Sequence, residues 1–322
     1  MKKLFTLVCT AALLSFMSGQ ALAQTYPTRP VKIVVPFGPG GFTDVVARIL
    51  GVKLSESLGQ PVVIENKPGA GSLIGTDQVA KAAPDGHTLL IVSSTHVISP
   101  WIYKSLPYDP IKSFTPVTRL VDSPYVLLTH PKVPAKNVQE FIALAKSQPD
   151  KIHYASSGNG SAQHLIGGLF ASMSKTQLKH VPYRSSSLAI NDLVGGVVES
   201  SFAGVPNALS QVPGGRLNAL AVTSAKRIPQ MPNVPTMQEA GVPGYDATVW
   251  LALLAPAGTP AHIVNRLNAD IAKIMNSSET QKAMFDAGVE VSLSTPEALS
   301  SLMVSELDKW GKVVKEAGIK LD

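Results

Sequence analysis

Residues 31–54 read VKIVVPFGPGGFTDVVARILGVKL, and three short patterns succeed one another within them. Val31 to Phe37 is apolar except at Lys32 and rich in β-branched side chains, the pattern of a buried strand. Gly38-Pro39-Gly40-Gly41 interrupts it, and Thr43-Asp44 opens a stretch with Val45, Val46, Ile49, Leu50 and Leu54 at helical spacing. Strand, glycine loop, helix is one βα unit, and the rest of the chain repeats that order.

Outward from it run a strand at 61–66, a helix over about 73–83, a Pro84-Asp85-Gly86 turn and a strand at 88–93. A long extended run near Val121 to Thr129 precedes a second series. That series is a helix from Asn137 to Ser147, a strand at 152–156, the loop Ser157-Gly158-Asn159-Gly160, a helix from Ser161 to Met173 and a strand at 178–182. Ser185 to Leu193, Ser201 to Gly204, Pro206 to Gln211 and Leu217 to Thr223 then alternate helix and strand. Thr248 to Leu254 is a second apolar extended run; beyond it Ile263, Leu267, Ile271 and Ile274 mark a helix, and Pro296 to Ala317 a last one. Alternating βα units predict mostly parallel sheets covered by helices, an α/β fold. If the two extended runs are crossovers, residues 24–124 and 248–322 form a discontinuous first lobe and 125–247 an inserted second one. Two such connections make a hinge with a cleft below it.

The first 23 residues stand apart. Lys2 and Lys3 precede an apolar run from Leu4 to Met17, followed by Ser18-Gly19-Gln20 and Ala21-Leu22-Ala23, which reads as a signal peptide with an A-x-A cleavage site. The apolar run is short of the roughly 20 residues a bilayer span needs. Its removal takes two of the 28 Lys and Arg and none of the 22 acids, so the formal charge falls from +6 to +4. The only cysteine, Cys9, lies in that segment, so cysteine nucleophiles, disulfides and Cys-ligated zinc are not expected in the exported chain. The expected location is the periplasm. With 45% hydrophobic and 16% charged residues the chain is globular, and with no basic run interleaved with aromatics, nucleic acid is not an expected partner.

The seven histidines form no H-x-x-x-H or H-E-x-x-H pair, and no carboxylate cluster has metal-ligand spacing, so neither a metal nor a cofactor is expected. Gly160-Ser161-Ala162 lacks the second glycine of a nucleophile elbow, which makes Ser161 a helix N-cap. Gly38-x-Gly40 begins like a dinucleotide fingerprint, but Thr43 stands where the next glycine belongs.

Two glycine-bearing loops remain, each between a strand and a helix. Helix N-termini expose unpaired amides and a partial positive charge, so such a loop is a ready carboxylate site. The candidate binding residues are Gly40, Gly41, Phe42, Thr43 and Asp44 in the first loop, and Ser156, Ser157, Gly158, Asn159, Gly160, Ser161 and His164 in the second. Phe42 either packs under a neighbouring loop or covers the ligand, Asp44 reads first as a dipole-satisfying acid, and His164 first as a structural side chain. Ser94, Thr95 and His96 form a further polar strand-end loop, and Arg184 with Ser185 offers a charge and a hydroxyl cap.

At these residues the chain resembles the Bug-type, TctC-like receptors of tripartite tricarboxylate transporters. The resemblance is carried by Tyr26 to Pro30, Val34 to Gly41, Ala83 to Gly86, Leu106 to Pro110, Ser157 to Ser161 with His164-Leu165, and Leu254 to Pro260. It implies a type II periplasmic binding protein, two α/β lobes joined by two hinge strands, that closes on a small carboxylate and delivers it to integral-membrane transporter subunits. It also implies that the two glycine loops contact one carboxylate from opposite lobes. The chain departs from the family's pattern at Arg184-Ser185-Ser186, where Lys-Gly-Gly is frequent, and at Ala203, where Asp is frequent. The missing acid argues against an amino acid, and Arg184 favours a dicarboxylate, on a body that could be aromatic. A monomer without catalysis is expected; a sensor for a membrane signalling partner, or a hydrolase using His164 with Ser161 or Asp44, are the alternatives.

Overall fold

The computed structural model describes residues 26–317, and the signal-peptide reading of residues 1–23 lies outside them. β1 (Val31–Val35) pairs in parallel with β2 (Val62–Asn66) on one side and β3 (Thr88–Ser93) on the other. β9 (Thr248–Pro256) follows β3, antiparallel to it and to β4 (Phe114–Thr129). These strands are apolar on both faces because helices cover both. Ile33, Val35, Leu89, Ile91, Leu251 and Leu253 point to α1 (Phe42–Leu58) and α8 (Ala261–Met275), where Val46, Leu50, Leu54, Leu267 and Ile271 meet them. The alternate residues Val34, Leu90, Val92, Trp250 and Leu254 meet α2 (Leu73–Ala80), α3 (Thr95–Ile102) and α10 (Pro296–Ala317) through Val79, Val97, Leu299 and Met303.

The 16 residues of β4 serve both lobes. From Phe114 to Pro124 they pair with β9; from Tyr125 to Thr129 they pair with β7 (Ser200–Gly204) and β8 (Asn218–Val222). β7 continues through β5 (His153–Ser156) to β6 (Lys179–Pro182), all three parallel. α4 (Val138–Ser147) and α5 (Ala162–Ser174) cover one face of this second sheet with Phe141 and Phe170 against Phe202. α6 (Ser186–Val194) and α7 (Val205–Gln211) cover the other with Ala189, Leu193 and Ala208 against Val126 and Ala203. The architecture is two α/β lobes with a cleft between them.

Four elements depart from the sequence reading. β4 begins seven residues before Val121, because two register shifts, at Pro116/Thr118 and Arg119/Val121, accommodate a proline and break the alternation that marks a strand. Thr95–Ile102 is a helix rather than a loop; Pro100 inside it reads as a stop. α9 (Ser278–Asp286) and β10 (Glu290–Val291) are too short and polar to stand out.

Candidate functional site

The N-termini of α1 and α5 open onto the cleft from opposite lobes, and the turns leading into them are built alike. Gly40 and Gly160 adopt φ of 74° and 75°, a left-handed conformation that favours glycine, immediately before the N-cap residues Gly41 and Ser161. In each turn the glycine amide donates to the side chain four residues on. Gly40 N–H reaches Asp44 Oδ2 at 2.9 Å, and Gly160 N–H reaches His164 Nδ1 at 3.1 Å. The third helical residue thus holds each entry turn in place.

This bracing turns the Asp44 carboxylate and the His164 ring back onto their own entry turns. Asp44 is 3% exposed and also accepts from Arg48 at 2.9 and 3.0 Å and from Asn66 Nδ2 at 2.9 Å. Burial would raise its pKa, but the hydrogen bonds from Arg48, Gly40 and Asn66 hold the carboxyl below its ordinary value. The His164 ring stacks on His180 with centroids 3.9 Å apart. Because Nδ1 accepts the Gly160 proton, the neutral ring carries its hydrogen on Nε2. Burial lowers the His164 pKa to about 4; burial, then the neighbouring His164, lowers that of His180 to about 3. Ser156 Oγ lies 2.5 Å from His180 Nε2 and accepts the Gly158 amide, so it too braces the loop from beneath.

A narrow inner recess of about 30 Å³ lies between the two helix N-termini. Lobe 1 lines it with Phe37, Gly38, Gly41, Phe42, Thr43 and Ser93; lobe 2 lines it with Tyr125, Ser157, Ala162, Gln163, Ser186 and Gly204. No side chain caps α1, because Gly41 occupies the N-cap, so no capping side chain satisfies its first-turn amides. Ser161 Oγ accepts from His164 N–H at α5, and Gln163 Oε1 accepts from Ser157 N–H at 2.8 Å. Phe42 is 6% exposed and meets Tyr125 edge-on at 6.4 Å. A Cβ added at Gly204 would sit 3.3 Å from that of Phe42. Phe42 therefore both walls the recess and packs lobe 1 against lobe 2.

An outer recess of about 640 Å³ adjoins the first at Phe37 and Ser157, which line both. Its walls are Pro36, the turn Pro68 to Ser72 and Tyr103 from lobe 1, and Gly158, Asn159 and Pro182 to Arg184 from lobe 2. Arg184 is exposed there, while Ser185 caps α6 through Leu188 N–H and abuts Gly38. The residues lining the two recesses include one cation, Arg184, and no carboxylate side chain.

Two expected contacts point elsewhere. His96 is 3% exposed, with Nε2 on the Pro110 carbonyl at 2.8 Å and its ring between Tyr108 and Phe114. Ser94 and Thr95 are buried beside it, and the side chain that reaches the recess from that strand end is Ser93, held by Thr95 Oγ1 at 2.7 Å. Ala203 is fully buried among Val126, Ala189 and Val205, so the case against an ammonium rests on the acid-free cleft rather than on that position. Sequence reasoning missed Tyr125, Gln163, Tyr103 and the turn 68–72. Pro68-Gly69-Ala70-Gly71 was a legible signal for the last of these; the others depend on which loops the hinge brings together. Among the described residues, no group of three or more His, Cys, Asp or Glu is placed to hold a metal, and no helix is long and apolar enough to cross a membrane.

Comparison with known proteins agrees with the two-lobed fold. BugD, a periplasmic binding protein, superposes with a TM-score of 0.88 at 37% identity over 92% of this chain and all of its own. Rpa4515 of R. palustris, solved with adipate, gives 0.89 at 36% identity over 92% of this chain and 100% of its own. MatC from Rhodopseudomonas palustris, solved with malate, gives 0.86 at 35% identity over 90% of this chain and 100% of its own. Residues 46–319 match the tripartite tricarboxylate transporter family receptor, TctC. With the two-lobed fold and the opposed helix N-termini, that match over most of the chain makes this protein a member of the TctC receptor family.

Proposed function

We propose that this protein is a periplasmic receptor that closes on a small dicarboxylate and delivers it, unchanged, to a membrane transporter. One carboxylate lies in the inner recess between the N-termini of α1 and α5, on the amides of Gly41, Phe42 and Thr43 and against Ser157, Ala162 and Gln163 of lobe 2. The second extends into the outer recess toward Arg184. Residues 26–124 and 248–317 move as one lobe and 125–247 as the other, about the point where β4 changes partners. The observation that carries the reading is a pair of helix entries, each braced from its preceding glycine amide to the third helical residue, opposed across a cleft lined by no acid. The adipate and malate held by two relatives of the same fold are both dicarboxylates. The side chains that resemble catalytic groups are consumed in bracing: Asp44, Ser161 and His164 each hold a backbone amide.

The test is a thermal-shift screen of ligand-stripped protein against adipate, malate, citrate, benzoate and amino acids, followed by calorimetry and recovery of the ligand. A dicarboxylate at about 100 times its Kd should stabilise the protein by about 2.7 kcal/mol and be recovered intact. Stabilisation by amino acids alone would overturn the substrate class, and a converted ligand would overturn the receptor reading. Loss of dicarboxylate uptake on deleting the protein distinguishes delivery from sensing.

A further inference from the structure

The peptide that joins Asn159 to Gly160 is held from both lobes. Its N–H end donates to His164 within lobe 2, and its carbonyl accepts the Tyr103 hydroxyl of lobe 1 at 3.0 Å. This peptide immediately precedes the N-cap of α5, at the end of a loop whose Ser157 lines both recesses and whose Gly158 and Asn159 line the outer one. Tyr103 lies at the end of α3, and its hydroxyl is seated against the turn 68–72. A Cβ at Gly71 would fall on both that hydroxyl and the Asn159 carbonyl, and one at Gly160 would come within 2.7 Å of the hydroxyl. The seat itself is strained: Gly69, Ala70, Gly71 and Ser72 all have positive φ, two of them with side chains. Beside it Ile98 and Ile102 of α3 and Trp310 of α10 bury Leu165 of α5, an apolar contact that also crosses between lobes.

We propose that Tyr103 is a positioning residue for the carboxylate loop of the opposite lobe, locking the Asn159–Gly160 peptide only when the cleft is closed. The lobe 2 half of the binding site is then completed by lobe 1, and the strained turn is the surface that makes the hydroxyl reach. When the lobes part, His164 alone holds the peptide, the Asn159 carbonyl turns to water, and the loop is free to release its ligand. The proposal rests on the reading that the lobes open and close.

Interlobe distance tests it without requiring a ligand. Val52 in lobe 1 and Val197 in lobe 2 are 61% and 66% exposed, and Val52→Cys with Val197→Cys in a Cys9→Ser chain gives two sites for a fluorescent pair. Tyr103→Phe keeps the ring and removes only the hydrogen bond; it should lower the closed-to-open ratio about three- to tenfold and raise the release rate of adipate or malate by a similar factor. Gly71→Ala, which obstructs the seat while keeping the hydroxyl, should move both readings the same way. Distances and release rates unchanged in Tyr103→Phe overturn the proposal, as does a lower melting temperature with unaltered distances, which would make Tyr103 merely structural. If the parent binds none of the acids, the carboxylate reading fails while the ligand-free distances still decide the latch.

Discussion

Gly41 separates two demands that most helix starts combine. At φ of −82° and ψ of 170° it is an extended N-cap that any residue adopts, and a Cβ there would meet nothing closer than 3.6 Å. Yet no side chain caps α1, which costs helix stability and leaves amides for an anion. Gly41→Asp should therefore act in opposite directions on fold and function. The new carboxylate caps the helix and raises or preserves the melting temperature, while it occupies the ligand's place and weakens dicarboxylate binding about 100-fold or more. Calorimetry and thermal unfolding of the same variant read both; a folded variant with parental affinity would remove the α1 N-terminus from the site. Arg184 makes a smaller claim, since its side chain is exposed and water screens it. Arg184→Gln should weaken a dicarboxylate by roughly three- to tenfold and leave a monocarboxylate of similar body unaffected. Equal losses for the two acids would place the second carboxylate elsewhere.

At the level of elements, both loops rest on a brace beneath them, and the lobe 2 brace titrates. His164 and His180 are stacked, neutral and depressed to about 4 and about 3, against an ordinary value near 6.5. For groups depressed in the folded state, the unfolded chain binds protons first. Their stabilising contribution is thus complete above about pH 6.5 and falls away as the pH drops toward 4 and 3. Dicarboxylate affinity and melting temperature should decline together over that interval, and His180→Gln should flatten the decline; a parental pH profile in that variant would sink the brace. The brace also marks where sequence reading ends. The strand–loop–helix units at 31–54 and 152–173 were legible because a parallel strand always delivers its following helix N-terminus to the same sheet edge. Which side of the helix His164 occupies, or which face of β7 carries Ala203, depends on packing against β5, β6 and β4, which no local period encodes. α3 was hidden by Pro100, and the first half of β4 by two bulges that carry Pro116 and Arg119 through the strand.

Across the whole molecule the two crossovers are tied to each other by one buried threonine at their lobe 2 ends. Thr223, at the end of β8, is fully buried; its N–H donates to the Tyr125 carbonyl and its Oγ1 accepts the Tyr125 N–H at 2.7 Å. The same hydroxyl donates to the Ala247 carbonyl at 2.7 Å, whose own N–H returns to the Thr223 carbonyl. Tyr125 and Ala247 are the residues at which the two crossovers enter and leave lobe 2, so one side chain bolts both together. β4 and β9 pair directly as far as Pro124 and Thr248, and Thr223 carries that tie one step further, into lobe 2, so that the crossovers bend as a pair. Thr223→Val preserves shape but leaves a buried N–H and a buried carbonyl without partners, at a cost of about 2–3 kcal/mol. The melting temperature should drop by roughly 5–10 °C. Thr223→Ser, which keeps the hydroxyl and loses only a methyl group, should recover most of it. If the valine variant melts with its parent, the crossovers do not depend on this bolt. If the serine variant melts as low as valine, the methyl packing matters as much as the hydrogen-bonded bridge, because serine keeps the hydroxyl and loses the methyl group while valine keeps the methyl group and loses the hydroxyl.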